Sequence, residues 1–240
     1  MTEAISGFGT ALIWNNHKVL ELTNISGPSQ SMETVDVTNH DSLDAYREFI
    51  GGAKSGGEIS IEGNFIPGDE DGQGGFLADL QDREPRACWI VMPMSAAAAL
   101  YLTALAKGFE TSFPIDNKIG VSGSLQVIGK PILLTTQSAG MSARAGIEQT
   151  DAAALVITPA AAVGTYIYEC SVNTASAWVK LTITAATHTI YVLGVAQTSG
   201  VQGGEVALGA AGTVTDIIIM VYEANKAPRL YVLRVTRPLP

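Results

Sequence analysis

The sequence is poor in the features that mark several common classes of protein. Its 240 residues include only two cysteines, three histidines and 14 lysines or arginines, and charged residues make up 15% of the chain. Two cysteines are too few for the multiple-disulfide framework of a small secreted protein. The 23 acidic residues give a net charge of −9. An acidic surface repels phosphate, so a nucleic-acid-binding function is disfavoured.

Long apolar runs and catalytic motifs are also missing. No stretch reaches the ~18 uncharged apolar residues of a membrane-spanning helix. The first residues, MTEAISGFGT, lack a basic region followed by an apolar segment, so we expect no secretory signal. The histidines, His17, His40 and His188, are far apart, and none has a partner at metal-ligand spacing. With no Walker A loop and no Gly-x-Ser-x-Gly motif, we expect no enzyme, no metal site and no cofactor.

Three smaller features have structural interpretations. The acidic run Asp69, Glu70 and Asp71 lacks the alternating ligands and distal glutamate of an EF-hand, so we predict a solvated loop and helix start. The segment GGAKSGG lacks the context of a phosphate-binding loop and is predicted to be a flexible loop tip. Cys88 and Cys170 are predicted to be buried free thiols.

The sequence does contain a strong two-residue periodicity. Apolar residues make up 47% of the chain, enough for a core. In residues 56–65 and 120–130 they alternate with polar residues, the pattern of a sheet with one buried and one solvated face. The polar set predicted from these strands and from the strand 32–38 is Asp36, Glu58, Ser60, Glu62, Asn64, Ser122, Ser124 and Gln126. On the pattern alone, this face is either ordinary exposed sheet or the wall of a channel.

The remaining N-terminal elements are predicted from local patterns. A long polar loop is expected between the strands 32–38 and 56–65, which look ready to pair. After the breaker PGDEDGQGG, FLADLQDRE has apolar residues at helical spacing and predicts a short amphipathic helix. RACWIVMP predicts a buried strand. SAAAALYLTALAKGFE is ambiguous, because alanine favours a helix locally.

The composition changes after residues 130–146, which we interpret as a connection between two parts. Residues 1–137 hold 8 basic and 17 acidic residues, whereas 138–240 hold 6 of each. Regularly spaced short strands predict a β-sandwich in the second part. The strands are predicted in ALVITP, TYIYECSV, AWVKLTIT, HTIYVLGV, GEVALG, VTDIIIMVYEA and RLYVLRVTRP. We therefore predict an all-β chain with one short helix and two domains, 1–137 and 138–240.

Several N-terminal segments together resemble a known family. The strings ETVDVT, GEISIEGNF and VSGSLQVIGKP, with the short helix and RACWIVMP between them, resemble the major tail tube protein of long-tailed, siphophage-type bacteriophages. The resemblance spans nearly all of residues 1–134. The remainder, ending in RLYVLRVTR, resembles a cadherin-like or immunoglobulin-like β-sandwich. Tail tube proteins of this kind often carry such a domain on the tube exterior.

The resemblance implies a structural virion protein. Each subunit would pack two sheets beside a helix. Six subunits would form a hexameric ring, and the rings would stack into the hollow tube of a long non-contractile tail. Genome DNA would pass through, and the polar set would line the lumen, where acids let DNA slide without binding. The resemblance also implies a strand over residues 101–109. The residues themselves already predict no cofactor and no membrane segment.

The resemblance also implies partners and a location. The partners would be other copies of the chain, the tape measure, distal tail and tail terminator proteins, and double-stranded DNA in transit. The protein would lie in the virion tail after assembly in the bacterial cytoplasm. The polar loop from Asn39 to Gly57 would be an assembly arm that reaches a neighbouring subunit or ring. Its predicted contact residues are Asn39, His40, Asp41, Asp44, Tyr46, Arg47, Phe49 and Lys54.

Three alternatives stay open at the level of sequence. A tube subunit of a contractile or secretion system would share the tube fold, and its sheath partner cannot be seen in one sequence. A monomeric two-domain binding module is disfavoured by the absence of a signal. An enzyme has no supporting residue constellation.

Overall fold

A computed structural model describes residues 6–93, 96–160, 165–186 and 188–240, and the fold is all-β with one short helix. The strands of the N-terminal part are β1 Ala11–Trp14, β2 His17–Lys18, β3 Leu22–Ser26, β4 Ser31–Asp36, β5 Phe49–Ser55, β6 Glu58–Asn64, β7 Arg86–Val91, β8 Ala99–Ser112 and β9 Gly120–Leu134. The helix, α1, spans Gly75–Asp82 between β6 and β7.

The strands of the C-terminal part form two further sheets. They are β10 Ala143–Glu148, β11 Ile167–Ser171, β12 Trp178–Thr184, β13 Thr189–Val192, β14 Val195–Gln197, β15 Gln202–Ala207, β16 Thr213–Tyr222 and β17 Arg229–Arg237. One sheet has the order β10-β12-β15, and the other has the order β11-β17-β16-β13-β14. Alternate residues of β12, such as Leu181 and Ile183, are buried against Ile217 and Leu233 of the facing sheet. The two sheets therefore enclose one core.

The N-terminal part is built on one seven-stranded sheet with the order β2-β1-β7-β8-β9-β6-β3. Leu12 of β1 and Ile59 of β6 are separated by three intervening strands in this order, yet both belong to the same buried cluster. The sheet therefore coils around that cluster, and bulges between β8 and β9 allow the long strands to bend. Helix α1 closes the core with Phe76, whose ring lies 5.2 Å from that of Trp14.

The ambiguous alanine-rich segment is a strand from Ala99 onward. Leu102, Ala104 and Ala106 alternate into the core along β8, so burial in the sheet overrides the local helix propensity of alanine. Ser95, where the competing helix would have begun, lies outside the described residues. The predicted helix 76–84, the strand 86–93 and the strand around 120–130 are confirmed within a few residues.

Four sequence-based expectations were wrong in detail. The strands before and after the long loop do not pair, because β4 pairs with β5, which lies inside the predicted loop, while β6 pairs with β3 and β9. The predicted connection 130–146 contains the end of β9 and the start of β10. ALVITP forms only isolated bridges, at Ala154 and Thr158. HTIYVLGV is divided between β13 and β14 by a turn.

A third cluster joins the seven-stranded sheet to the sandwich. The Trp89 ring lies 4.4 Å from that of Tyr101 and 5.3 Å from that of Tyr222, which is on β16 of the sandwich. Ser138, in the segment between the two parts, is fully buried, and its hydroxyl donates to the carbonyl of Ala227 at 2.9 Å. The sandwich is thus docked on the sheet where β1 and β7 lie beside the start of β8 and the end of β9.

Candidate assembly surfaces

The predicted polar set is largely brought together on one face of the seven-stranded sheet. In the antiparallel pair β6–β9, Glu58 lies opposite Gln126, Ser60 opposite Ser124 and Glu62 opposite Ser122. Residues directly opposite in an antiparallel pair share a face. Asn64 follows at the same period, opposite Gly120. These seven residues form the surface that we call the polar face.

The polar face also includes residues that sequence reasoning missed. On β3, Asn24 pairs with Glu62 and Ser26 with Ser60. On β8, Glu110 pairs with Ser122 and Ser112 with Gly120. The alternation of Glu110 and Ser112 can be recognised in the sequence, but it does not reveal that β8 pairs with β9. The polar face is therefore four strands wide.

The charge of the polar face is acidic but partly compensated. The ammonium group of Lys107 on β8 forms an ion pair with the carboxylate of Glu58, and both side chains are about half exposed. Glu62 and Glu110 have no ion-pair partner among the described residues. An exposed pair such as Lys107–Glu58 contributes little to stability, so its effect is on the surface charge.

Asp36 lies apart from the other members of the predicted set. It lies at the end of β4, opposite Phe49, in the two-stranded ribbon that β4 and β5 form. Its carboxylate accepts a hydrogen bond from the backbone amide of Thr38 at 2.9 Å and lies 3.9 Å from the guanidinium of Arg47. Hydrogen bonds from Thr38 lower the pKa of the Asp36 carboxyl. Its role in the ribbon is therefore to shape the turn that follows β4.

The ribbon of β4 and β5 and the turn between them, residues 31–55, form a protrusion that we call the arm. All eight predicted contact residues, Asn39, His40, Asp41, Asp44, Tyr46, Arg47, Phe49 and Lys54, are exposed. The arm also exposes large apolar side chains, both on its strands and in its turn. These are Met32, Val35, Val37, Leu43, Tyr46, Phe49 and Ile50. None of them joins a buried cluster of the described chain.

The base of the arm is held tightly against the sheet. Gly57 has a φ of +77°, and a Cβ there would lie 2.0 Å from the carbonyl oxygen of Ser29. The amide of Ser29 donates to the carbonyl of Glu58 at 3.1 Å, and the amide of Val127 donates to the carbonyl of Gly57 at 2.9 Å. Only glycine fits at this position, because a Cβ would clash with Ser29. GGAKSGG therefore ends in a tight bend against the sheet and is not a flexible loop tip.

Two buried acids next to α1 are structural. The carboxylate of Asp79 accepts a hydrogen bond from the indole Nε1 of Trp14 at 2.7 Å and one from Nε of Arg86 at 2.8 Å. This contact raises the pKa of the Arg86 guanidinium. Asp69, predicted to be solvated, is buried instead and accepts from the amides of Leu20 and Gln73.

Other kinds of site are not seen in the described part of the chain. No group of three or more His, Cys, Asp or Glu residues there is placed to hold a metal ion. No helix there is long and apolar enough to cross a membrane. Cys88 and Cys170 are buried and free, as predicted. Burial raises the pKa of the Cys88 thiol to about 12 and that of Cys170 to about 11.

No protein-family model and no curated protein matches the chain significantly. Among solved structures, it is similar to a chain of the virion of a native gene transfer agent particle, with 20% identity and a TM-score of 0.46 over 54% of this chain and 98% of that chain. It is also similar to a chain of the sheath–tube complex of an extracellular contractile injection system, PVC, with 14% identity and a TM-score of 0.46 over 57% and 95%. A third likeness is to the SPP1 tail tube, with 15% identity and a TM-score of 0.42 over 54% and 78%.

Proposed function

We propose that this chain is the subunit of a hollow tail tube of a long-tailed phage, assembled as stacked hexameric rings through which genome DNA passes. The observation that carries the proposal is the exposed apolar arm. A two-stranded ribbon alone is marginally stable in water. This ribbon and its turn expose seven large apolar side chains, so they need a surface to cover them.

Other copies of the chain are the proposed cover for the arm. A group of seven large apolar side chains exposed on one protrusion of a soluble protein marks an interaction site. The sequence resemblance to tail tube proteins points in the same direction, because it covers the arm together with the strands on either side of it. Self-assembly therefore accounts for the exposure of the arm.

The polar face is the proposed wall of the channel. It is four strands wide, ends at the free edge of β3, and contains no residue of the cluster that joins the sheet to the sandwich. Pairing across subunits would remove such free edges and close a continuous barrel. The acids Glu62 and Glu110 would then repel phosphate, so that DNA slides past without binding.

The sandwich is proposed to be an immunoglobulin-like domain on the tube exterior. In chain order, β10, β12 and β15 correspond to the strands of one immunoglobulin sheet, and β13, β16 and β17 to the C, F and G strands of the other. Its docking through Trp89 and Tyr222 involves β7, which is not one of the four strands of the proposed wall. The proposed domain limits are 1–137 and 138–240.

Partners and location follow from the same proposal. We propose that the tube surrounds a tape measure protein, ends at distal tail and tail terminator proteins, and contacts double-stranded DNA only in transit. The protein would lie in the virion tail after assembly in the host cytoplasm.

The proposal is tested by sedimentation and negative-stain electron microscopy of the purified full-length protein across a range of concentrations. The expected result is hollow tubes or rings with sixfold symmetry, with an assembled fraction that rises with concentration. Dispersed monomers at every concentration, also in the presence of preformed tube fragments as nuclei, would contradict it.

A further inference from the structure

A second exposed apolar feature lies at the other end of the polar face from the arm. The turn between β8 and β9, residues 113–119, is called the tip here. Phe113 is 67% exposed and Ile115 is 99% exposed. Neither side chain belongs to a buried cluster of the described residues. The sequence-based set of assembly residues did not include the tip.

The arm and the tip leave opposite ends of the same pair of strands. Strand β6 begins at Glu58, directly after the arm, and this residue pairs with Gln126. The strand ends at Asn64, which pairs with Gly120, the first residue after the tip. Seven strand residues span roughly 20 Å. The two apolar features therefore leave the polar face at its opposite ends.

We propose that the tip of one copy receives the arm of another copy, so that a single head-to-tail contact repeats through the assembly. The proposal rests on the proposed tube function and names the partner surface of the arm. A contact between two different surfaces of identical subunits is heterologous, and heterologous contacts build rings and filaments. Two like surfaces would instead give a closed dimer, which cannot grow.

The arm alone exposes about as much apolar area as one partner of a stable interface buries. A fully buried aromatic side chain removes about 150–250 Å² from water. Tyr46 and Phe49 of the arm are 76% and 54% exposed. With the five aliphatic side chains of the arm, the exposed apolar area is on the order of 800 Å², the share of one partner in a standard stable interface. The tip is smaller, so the surface beside it must contribute as well.

A cross-linking experiment tests the contact directly. Tyr46→Cys is introduced into one preparation of the full-length protein and Ile115→Cys into another. The native cysteines are buried and their pKa values are raised, so they should not react with either. The two preparations are mixed, assembled and oxidised mildly. We expect a disulfide-linked dimer in the mixture at a yield at least tenfold above that of either preparation alone.

Assembly of surface variants supplies the second readout. The double variant Phe113→Ser, Ile115→Ser should give at least tenfold less sedimentable protein, with an unchanged circular dichroism spectrum. The matched control is Val156→Ser, Leu239→Ser, which changes two similarly exposed apolar residues of the sandwich and should assemble normally. Normal tubes from the tip variant, or no mixed dimer within wild-type-like tubes, would overturn the arm-to-tip contact alone. Failure of the unaltered protein to assemble would overturn the proposed function and the contact together.

Discussion

At the scale of single residues, the best-defined interaction is the one that anchors helix α1 to the sheet. Asp79 is 7% exposed, and its two carboxylate oxygens are both occupied, one by Trp14 and one by Arg86. The hydrogen bond from Trp14 crosses 65 positions of sequence, so the pair could not be read from local patterns. A buried carboxylate that is fully hydrogen-bonded is structural, and its loss leaves two donors without an acceptor.

We predict that Asp79→Ala lowers the free energy of unfolding by about 3 kcal/mol, the lower end of the range for breaking a buried ion pair, because Arg86 stays about one-third exposed. Urea unfolding of the full-length protein measures it. The control, Asp82→Ala, removes an exposed acid from the last turn of the same helix and should change stability by no more than about 0.5 kcal/mol. Equal effects of the two substitutions would contradict the structural role of Asp79.

At the scale of elements, the polar face and the arm differ in how far they could be predicted. The period-two pattern located the solvated side chains of β6 and β9 correctly, because alternation follows directly from strand geometry. It placed Asp36 with them, since nothing in a local pattern reveals that β4 pairs with β5 instead of the sheet. The docking of Trp89 on Tyr222 could not be predicted from local sequence patterns either, because it depends on contacts between segments far apart in sequence.

The prediction for the arm concerns a variant in which the arm is shortened. Replacing residues 37–48 by Asn-Gly should join Asp36 to Phe49 through a tight two-residue turn, since these residues already lie opposite each other. The arm makes no contribution to a buried cluster, so thermal unfolding of the monomer should be nearly unchanged. Electron microscopy and sedimentation should show loss of tubes. Normal tubes from the shortened chain would show that the arm is not needed for assembly.

A further prediction concerns the negative charge of the polar face. The double variant Glu58→Lys, Glu62→Lys should assemble but release DNA from particles about tenfold more slowly at low salt, because added cations bind phosphate and salt screens them. Glu62 is the more informative position, since Glu58 is already paired with Lys107. The control is Glu169→Lys, Glu205→Lys on the sandwich. An unchanged release rate for the first variant would argue against a luminal position.

At the scale of the whole molecule, the sheet and the sandwich share a core instead of being joined by a free linker. Trp89 is 6% exposed between Tyr101 and Tyr222, and Ser138 fixes the connecting segment to the sandwich. The two parts should therefore unfold together. This coupling would hold the sandwich at a fixed angle to the polar face in every subunit.

We predict that Trp89→Ala lowers stability by about 3–5 kcal/mol and separates the unfolding of the two parts. Differential scanning calorimetry should show one transition in the unaltered protein and two in the variant. Trp178→Ala is the control, because Trp178 lies on the outer surface of the sandwich under Lys180 and should leave a single transition. A single transition in the Trp89 variant would mean that the two parts are coupled elsewhere.

The central claim is that the polar face lines the channel of a tube and the sandwich lies outside. The most direct test is a cryo-electron microscopy reconstruction of tubes assembled from the full-length protein. The claim predicts sixfold rings with Glu62 and Glu110 facing the lumen and the sandwich on the exterior. Sandwich density inside the lumen, or a polar face buried between subunits, would contradict it.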